Sequence, residues 1–102
     1  MLTYSFSEAN ERIAERVVDD GRMVIGHVIL PPGDELPTHE TDLAAYFVVV
    51  RGEIEVVIDA GEALCPSGTI LNLPAGTEMK VANSGETVAE FFVAKPKKEG
   101  PK

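Results

Sequence analysis

Turn-forming residues divide this chain into short segments, and their regular spacing restricts the folds that it can adopt. Clusters of Gly, Pro, Asp, Asn and Ser recur at intervals of roughly ten residues. The segments between them are rich in Val, Ile and Phe and read as strands at residues 23–30, 44–50, 54–58, 70–73 and 88–94. Short β-prone segments with no helical segment between them predict an all-β fold, an antiparallel barrel or sandwich.

The segment at residues 7–18 admits two interpretations. Ser7 could cap a helix with an apolar stripe on one face. Alternatively, the apolar residues 13–18, followed by Asp-Asp-Gly and a further apolar segment, are typical of a β-hairpin. We favour a loop or short helical turn to about Glu11 and a strand from Arg12 onward.

The chain is long enough for one hydrophobic core but not for two. We predict a single barrel domain over residues 1–94 and a flexible basic tail over residues 95–102, where Lys, Pro and Gly are concentrated. The lone cysteine, Cys65, cannot form an intrachain disulfide, which fits a reducing compartment. We expect it to be buried as a small hydrophobic side chain.

Charge and hydropathy narrow the range of partners. The 102 residues carry a formal net charge of −8, which opposes a phosphate backbone, so we expect no nucleic-acid partner. No apolar run approaches the ~18 residues of a membrane helix, so we expect no membrane partner. The first residues lack the basic and apolar regions of a signal peptide, which predicts a cytoplasmic location.

Two groups of spaced residues resemble the signature motifs of the cupin superfamily, and the resemblance covers residues 23–94. In the first motif a glycine precedes His-x-His, a glutamate and a second glycine. In the second motif a glycine precedes Pro-x-Gly, a histidine and an asparagine. The residues that match in order and spacing are Gly33, His39, Gly52, Gly68, Pro74, Gly76 and Asn83.

The resemblance implies a single-domain antiparallel β-barrel of jelly-roll type, and small cupins commonly form dimers. It also implies that the motif ligand positions point into the mouth of the barrel, where family members usually hold a transition metal. Asn83 is expected to close the turn after its strand rather than take part in chemistry. The four ligand positions are His39, Thr41, Ala45 and Met79, and the first alone keeps the family's ligand.

The chemistry of these positions argues against a tightly bound metal, so the site is a degenerate one. Metal sites normally need three or more N, O or S ligands from the protein. Thr41 offers a neutral hydroxyl, and the soft thioether of Met79 suits copper(I). Glu40 and Asp42 alternate with His39 and should face the other side of a strand. We expect no cofactor, with a weakly bound transition metal at His39 as the remaining option.

Three functional hypotheses follow from these residues. The first is a metal-free protein that binds a small-molecule ligand at His39, Thr41, Phe47 and Met79. The second is an enzyme, either a metal-dependent oxygenase or isomerase or a protein that uses His39 as a base, although Ala45 stands where a carboxylate partner would be. The third is a structural or regulatory interaction module. We prefer the first.

His27 is the second histidine of the chain, on the same predicted strand face as Ile25 and Ile29. If that face lines the barrel, His27 could join His39 as a second polar group or ligand. We prefer a partly buried structural histidine with a hydrogen-bonded ring.

Apolar side chains on both faces of residues 23–30 predict self-association. One face should line the barrel, and the other should meet a second copy or the N-terminal strand. We therefore expect a homodimer with this strand or the N-terminal one at the interface.

Overall fold

Nine β-strands form two facing sheets in the computed structural model, which describes residues 1–97. All regular secondary structure in this part of the chain is strand, and it contains no helix long and apolar enough to cross a membrane. The strands are β1 (Ile13–Asp19), β2 (Met23–Leu30), β3 (His39–Glu40), β4 (Ala45–Arg51), β5 (Glu53–Ile58), β6 (Gly61–Pro66), β7 (Ile70–Leu73), β8 (Glu78–Ala82) and β9 (Ala89–Pro96).

The strand order is that of a jelly roll. One sheet has five strands in the order β1-β2-β9-β4-β7, and the other has four in the order β3-β8-β5-β6. All of the pairings between these strands are antiparallel. The predicted all-β class and jelly-roll architecture are therefore confirmed.

Hydrophobic segments locate some strands and miss others. Predicted strands over residues 23–30 and 70–73 match β2 and β7, and the other three differ from β4, β5 and β9 by one or two residues at an end. The short strand β3 and the strands β6 and β8 lie outside the predicted segments. In β8 the buried Met79 and Val81 alternate with exposed residues such as Lys80. That alternation marks a strand with one buried face, which a search for continuous apolar segments misses.

The chain begins with an irregular segment, residues 1–12, which we call the N-terminal arm. The β1–β2 hairpin follows, and Asp20 closes it because its Oδ1 accepts a hydrogen bond from the Arg22 backbone N–H at 2.7 Å. The hairpin interpretation is confirmed, with β1 starting one residue after the predicted Arg12. The alternative helix over residues 7–18 is wrong.

The C-terminal strand extends further than the predicted domain boundary at residue 94. β9 continues through Pro96, where it still pairs with Met23 of β2. Lys97 then donates its backbone N–H to the Arg22 carbonyl at 2.8 Å and places Nζ 2.6 Å from Asp19 Oδ1. The predicted tail therefore starts too early. The backbone pairing of β9 with β2 keeps residues 95 and 96 in the strand, although Lys and Pro are unfavourable for one. The rest of the tail, residues 98–102, lies outside the described residues.

The hydrophobic core lies between the two sheets. The Phe47 and Phe91 rings stack in it with their centroids 5.7 Å apart. Cys65 is buried there, as predicted, and desolvation raises the pKa of its thiol. A thiol with a raised pKa is a poor nucleophile, so the structure supports a packing role. Other fully buried inward side chains are those of Leu30, Val49, Ile54, Val81 and Ala89.

The outer face of the five-stranded sheet carries four interacting side chains on four neighbouring strands: Glu15 on β1, His27 on β2, Glu90 on β9 and Arg51 on β4. We call them the charged row. The fully buried His27 ring has Nδ1 2.7 Å from Glu15 Oε2 and Nε2 2.6 Å from Glu90 Oε2. Arg51 Nε lies 3.1 Å from Glu90 Oε1. The row therefore spans four strands that are distant from one another in sequence.

The N-terminal arm covers the charged row. Phe6 and Phe92 lie against the His27 ring, with ring centroids 4.9 and 4.7 Å from it. The Ser7 backbone N–H donates to Glu15 Oε2 at 2.9 Å, and this bond, followed by the bond to His27, lowers the pKa of the Glu15 carboxyl. His27 is therefore a buried structural histidine, the interpretation preferred from the sequence. The idea that it lines the barrel beside the motif histidine is wrong, because its strand face points outward.

Candidate functional site

A cavity of about 300 Å³ opens between the two sheets, and all four predicted ligand-binding residues line it. Thr41, Phe47 and Met79 are buried and form its floor. His39 is exposed and lies at the rim. The structure thus brings the four residues together, and their contact with a ligand stays a prediction.

Backbone pairing holds the rim of the cavity in place. In the β3–β8 ladder His39 lies opposite Met79. Beyond β3 the chain is tied to the β7–β8 turn, because the Thr41 N–H donates to the Thr77 carbonyl at 3.0 Å and the Gly76 N–H donates to the Thr41 carbonyl at 2.7 Å. The motif histidine is therefore carried on a segment that is anchored on both sides of it.

The His39 ring presents one nitrogen for a ligand. Its Nδ1 lies 2.9 Å from the Pro37 carbonyl oxygen, which can accept but not donate, so Nδ1 carries a proton. In a neutral ring Nε2 is then the unprotonated nitrogen and can accept a hydrogen bond. The Thr41 hydroxyl, in contrast, donates its proton to the Leu43 carbonyl and has only acceptor capacity left.

The donor set around the cavity does not fit a transition metal. No group of three or more His, Cys, Asp or Glu side chains in the described part of the chain is arranged to hold a metal ion. Ala45 is fully buried at the position of the motif glutamate. Glu40 alternates with His39 in β3, and Asp42 has its Oδ1 4.0 Å from Lys95 Nζ. One imidazole and a thioether fall short of the three or four ligands that a stable site needs.

We expect protein purified without an affinity tag to carry well under one equivalent of transition metal, because His39 is the one imidazole at the motif positions. Elemental analysis by mass spectrometry measures this, and His39→Ala should leave the content unchanged within error. Near-stoichiometric iron, zinc or manganese that disappears in His39→Ala would contradict the expectation.

Sequence reasoning missed three residues that shape the cavity. Lys95, assigned to the tail, and Arg16 both line it. The signal for Lys95 is period two in β9, since Phe91, Val93 and Lys95 share the inward face. Gly26 of β2 lies opposite Arg16 and leaves space where a side chain would project into the cavity.

Comparison with known families agrees with the fold. Residues 26–95 match the sequence profile of the family described as "Cupin domain". The chain belongs to the cupin superfamily. An uncharacterised protein from Methanocaldococcus jannaschii is 28% identical over 100 residues, which cover 93% of this chain and 86% of the relative.

Solved cupin structures superpose on this chain over most of its length. The crystal structure described as an RmlC-like cupin family protein with a double-stranded β-helix fold, from M. jannaschii, has a TM-score of 0.89 at 26% identity and covers 94% of this chain and 90% of its own. A cupin superfamily protein from Desulfitobacterium hafniense has a TM-score of 0.77 at 13% identity, covering 92% and 84%. The polyketide cyclase RemF from Streptomyces resistomycificus has a TM-score of 0.72 at 22% identity, covering 89% and 68%. The last two, at such low identity, show a shared fold alone.

Proposed function

We propose that this cupin binds a small, partly apolar molecule in the barrel mouth and needs no tightly bound metal for it. The observation that carries the proposal is the cavity of about 300 Å³ with a buried floor and a single imidazole at its rim. This volume is at the lower end of the range for small-molecule sites, which are mostly apolar with a few placed polar groups. Phe47 and Met79 supply the apolar surface, and His39 supplies a hydrogen-bonding group.

Catalysis has less support than binding. A histidine base usually works with a carboxylate that orients it or with a second acid, and the motif position for that group holds Ala45. The His39 ring is oriented instead by a backbone carbonyl, that of Pro37. A backbone carbonyl fixes the ring but cannot take up a proton during a reaction.

The test is a thermal-shift screen of wild type and His39→Ala against a panel of small metabolites. Because His39 is an exposed rim residue, we expect the variant to keep its melting temperature within about 2 °C and to lose most of the ligand-induced shift. Val57→Ala, a partly exposed position on the other sheet, serves as the control and should keep the shift. A destabilised His39→Ala protein with an unchanged ligand response would remove His39 from the site.

We also propose that the protein is a cytoplasmic homodimer with neither nucleic-acid nor membrane partners. The sequence predicts that β2 or the N-terminal strand forms the interface, but the outward side chains of His27 and Ile29 in β2 are fully buried within one chain. Exposed apolar surface is found instead on the N-terminal arm and on the neighbouring strands β4 and β7, where Tyr46 and Ile70 are 42% and 65% exposed. An apolar patch next to an irregular arm is a suitable surface for a second copy.

Light scattering at micromolar concentration should give twice the mass of the 11.0 kDa chain. Ile70→Glu should shift the equilibrium toward monomer because it places a charge in the proposed interface. Leu64→Glu, which changes a side chain of similar exposure on the opposite sheet, should not. A wild-type monomer would contradict the dimer.

A further inference from the structure

Two cationic side chains point toward the same cavity as His39. Lys95 and Arg16 come from β9 and β1, and both line it. The Lys95 side chain is 27% exposed, and its ion pair with Asp42 has a separation of 4.0 Å, which is longer than a hydrogen bond. Asp42 itself is 85% exposed, so solvent weakens that pair further. The Lys95 ammonium therefore has unused capacity to donate hydrogen bonds.

Arg16 is more fully engaged. Its guanidinium Nη1 lies 3.0 Å from Asp19 Oδ2, and Asp19 also binds the Lys97 ammonium at 2.6 Å. Asp19 thus engages both Arg16 and Lys97, whereas the ion-pair partner of Lys95 is the distant and exposed Asp42. In a chain with a formal net charge of −8, the weakly paired Lys95 ammonium is the group lining the cavity that is best able to attract an anion.

Glu15 is the acidic residue among the described residues that line the cavity, and its charge does not offset the charges of Lys95 and Arg16. Its carboxylate is bound on the outer face of the sheet by Ser7 and His27, so it is turned away from the cavity. Among the charged residues that line the cavity, Arg16 and Lys95 are therefore the ones whose charge can face it, and Asp19 and Asp42 lie beside them as ion-pair partners.

We propose, on the basis that the cavity binds a small molecule as argued above, that its ligand is a monocarboxylate with a compact apolar body. The carboxylate accepts hydrogen bonds from the Lys95 ammonium, with Arg16 adding attraction at longer range. The apolar body packs on Phe47 and Met79, which offer no charge to a second anionic group. One weakly paired ammonium and an apolar floor match one negative charge and one hydrophobic group.

Gly26 leaves room for this ligand. A Cβ built at this position contacts only the Glu15 carbonyl oxygen, at 3.7 Å, so a side chain is sterically allowed there. The absence of a side chain at Gly26, opposite Arg16, leaves room in the cavity. A valine at this position should fill that room while fitting the β-strand backbone.

The experiment is calorimetric titration with three carboxylates, benzoate, phenylacetate and hexanoate, and with the neutral amide of each. Wild type should bind the best carboxylate about tenfold more tightly than its amide, since a charge-assisted hydrogen bond is lost with the amide. Lys95→Met keeps the aliphatic stem and should erase that preference without weakening amide binding. Lys80→Met, on the opposite sheet, should bind as wild type does. Gly26→Val should weaken the carboxylate and the amide alike.

The results separate this inference from the proposed function on which it rests. Equal affinity of wild type for the carboxylates and their amides, or a preference that survives Lys95→Met, would overturn the carboxylate assignment and leave ligand binding in place. Failure of all three carboxylates to bind wild type would overturn the carboxylate assignment too. Binding unaffected by Gly26→Val would instead overturn the barrel-mouth site itself.

Discussion

Gly52→Ala is expected to lower the free energy of unfolding by about 3 kcal/mol, as a backbone clash adds to a disfavoured conformation. Gly52 links β4 to β5 with φ of 67°, a left-handed conformation that an L side chain rarely adopts. A Cβ at this position would lie 2.3 Å from the Val88 carbonyl oxygen and 3.0 Å from Ala89 Cα. Because these are backbone atoms of the strand entry to β9, relief of the clash requires the β4–β5 turn or β9 to move.

Urea denaturation with tryptophan-independent detection, such as far-ultraviolet circular dichroism, measures the loss. Gly33→Ala is the matched control, because Gly33 also has a positive φ, 83°, but a Cβ added there would have open space around it, with no atom of residues 1–97 outside the turn itself within 4 Å. That variant should lower the free energy of unfolding by about 1 kcal/mol, which is the contribution of the disfavoured backbone conformation alone. Equal losses in the two variants would show that the close approach at Val88 does not matter for stability.

Asn83→Asp should also lower stability by about 3 kcal/mol at neutral pH, because it removes donors from buried carbonyl groups. The Asn83 side chain is 1% exposed, and its Nδ2 donates to the Leu30 and Thr87 carbonyls at 2.8 Å each. Its Oδ1 accepts the Gly85 N–H at 3.0 Å. The predicted turn-closing role of Asn83 is thereby confirmed, and a carboxylate in its place would face two carbonyl oxygens.

The pH dependence identifies the cause. The two carbonyls should raise the pKa of the introduced carboxyl in the folded state, so the folded chain keeps its proton at a pH where the unfolded chain has released it. The variant should therefore lose stability as the pH rises from 4 to 7 relative to wild type. Asn72→Ala, which removes a single 3.3 Å bond at an exposed position, should change stability by less than about 0.5 kcal/mol. A pH-independent loss in Asn83→Asp would point to packing instead.

Much of the fold could be predicted because turn chemistry and continuous apolar segments are local properties. The glycine at position 52 and the proline and glycine at 74 and 76 mark turns without reference to distant residues. The motif spacing also places His39, Thr41, Phe47 and Met79 around one cavity. Strands such as β8 escape prediction, because their single buried face gives a weaker signal than a continuous apolar segment.

The entrance of the site could not be predicted in the same way. Arg16 and Lys95 are distant in sequence, and only the β1-β2-β9 strand order brings them to one cavity. A bulge between Arg16 and Val18 also breaks the simple alternation along β1, so the inward direction of Arg16 cannot be counted from Val18. Composition alone assigns Lys95 to the tail, because composition carries no information about pairing with β2.

The charged row has a consequence for how the five-stranded sheet assembles. Its contacts link β1 to β2, β2 to β9 and β9 to β4, so each of three neighbouring pairings contains one polar contact. A slip of one residue in the β2–β9 pairing would send His27 and Glu90 to opposite faces. In the observed register His27 lies opposite Phe92 and Glu90 is its diagonal neighbour, so a slip of two that moves Glu90 further along would break their contact. Aliphatic neighbours could tolerate such slips at modest cost, whereas a buried imidazole without its carboxylates could not. The charged row therefore favours the native register of the five-stranded sheet over registers that separate His27 from its carboxylates.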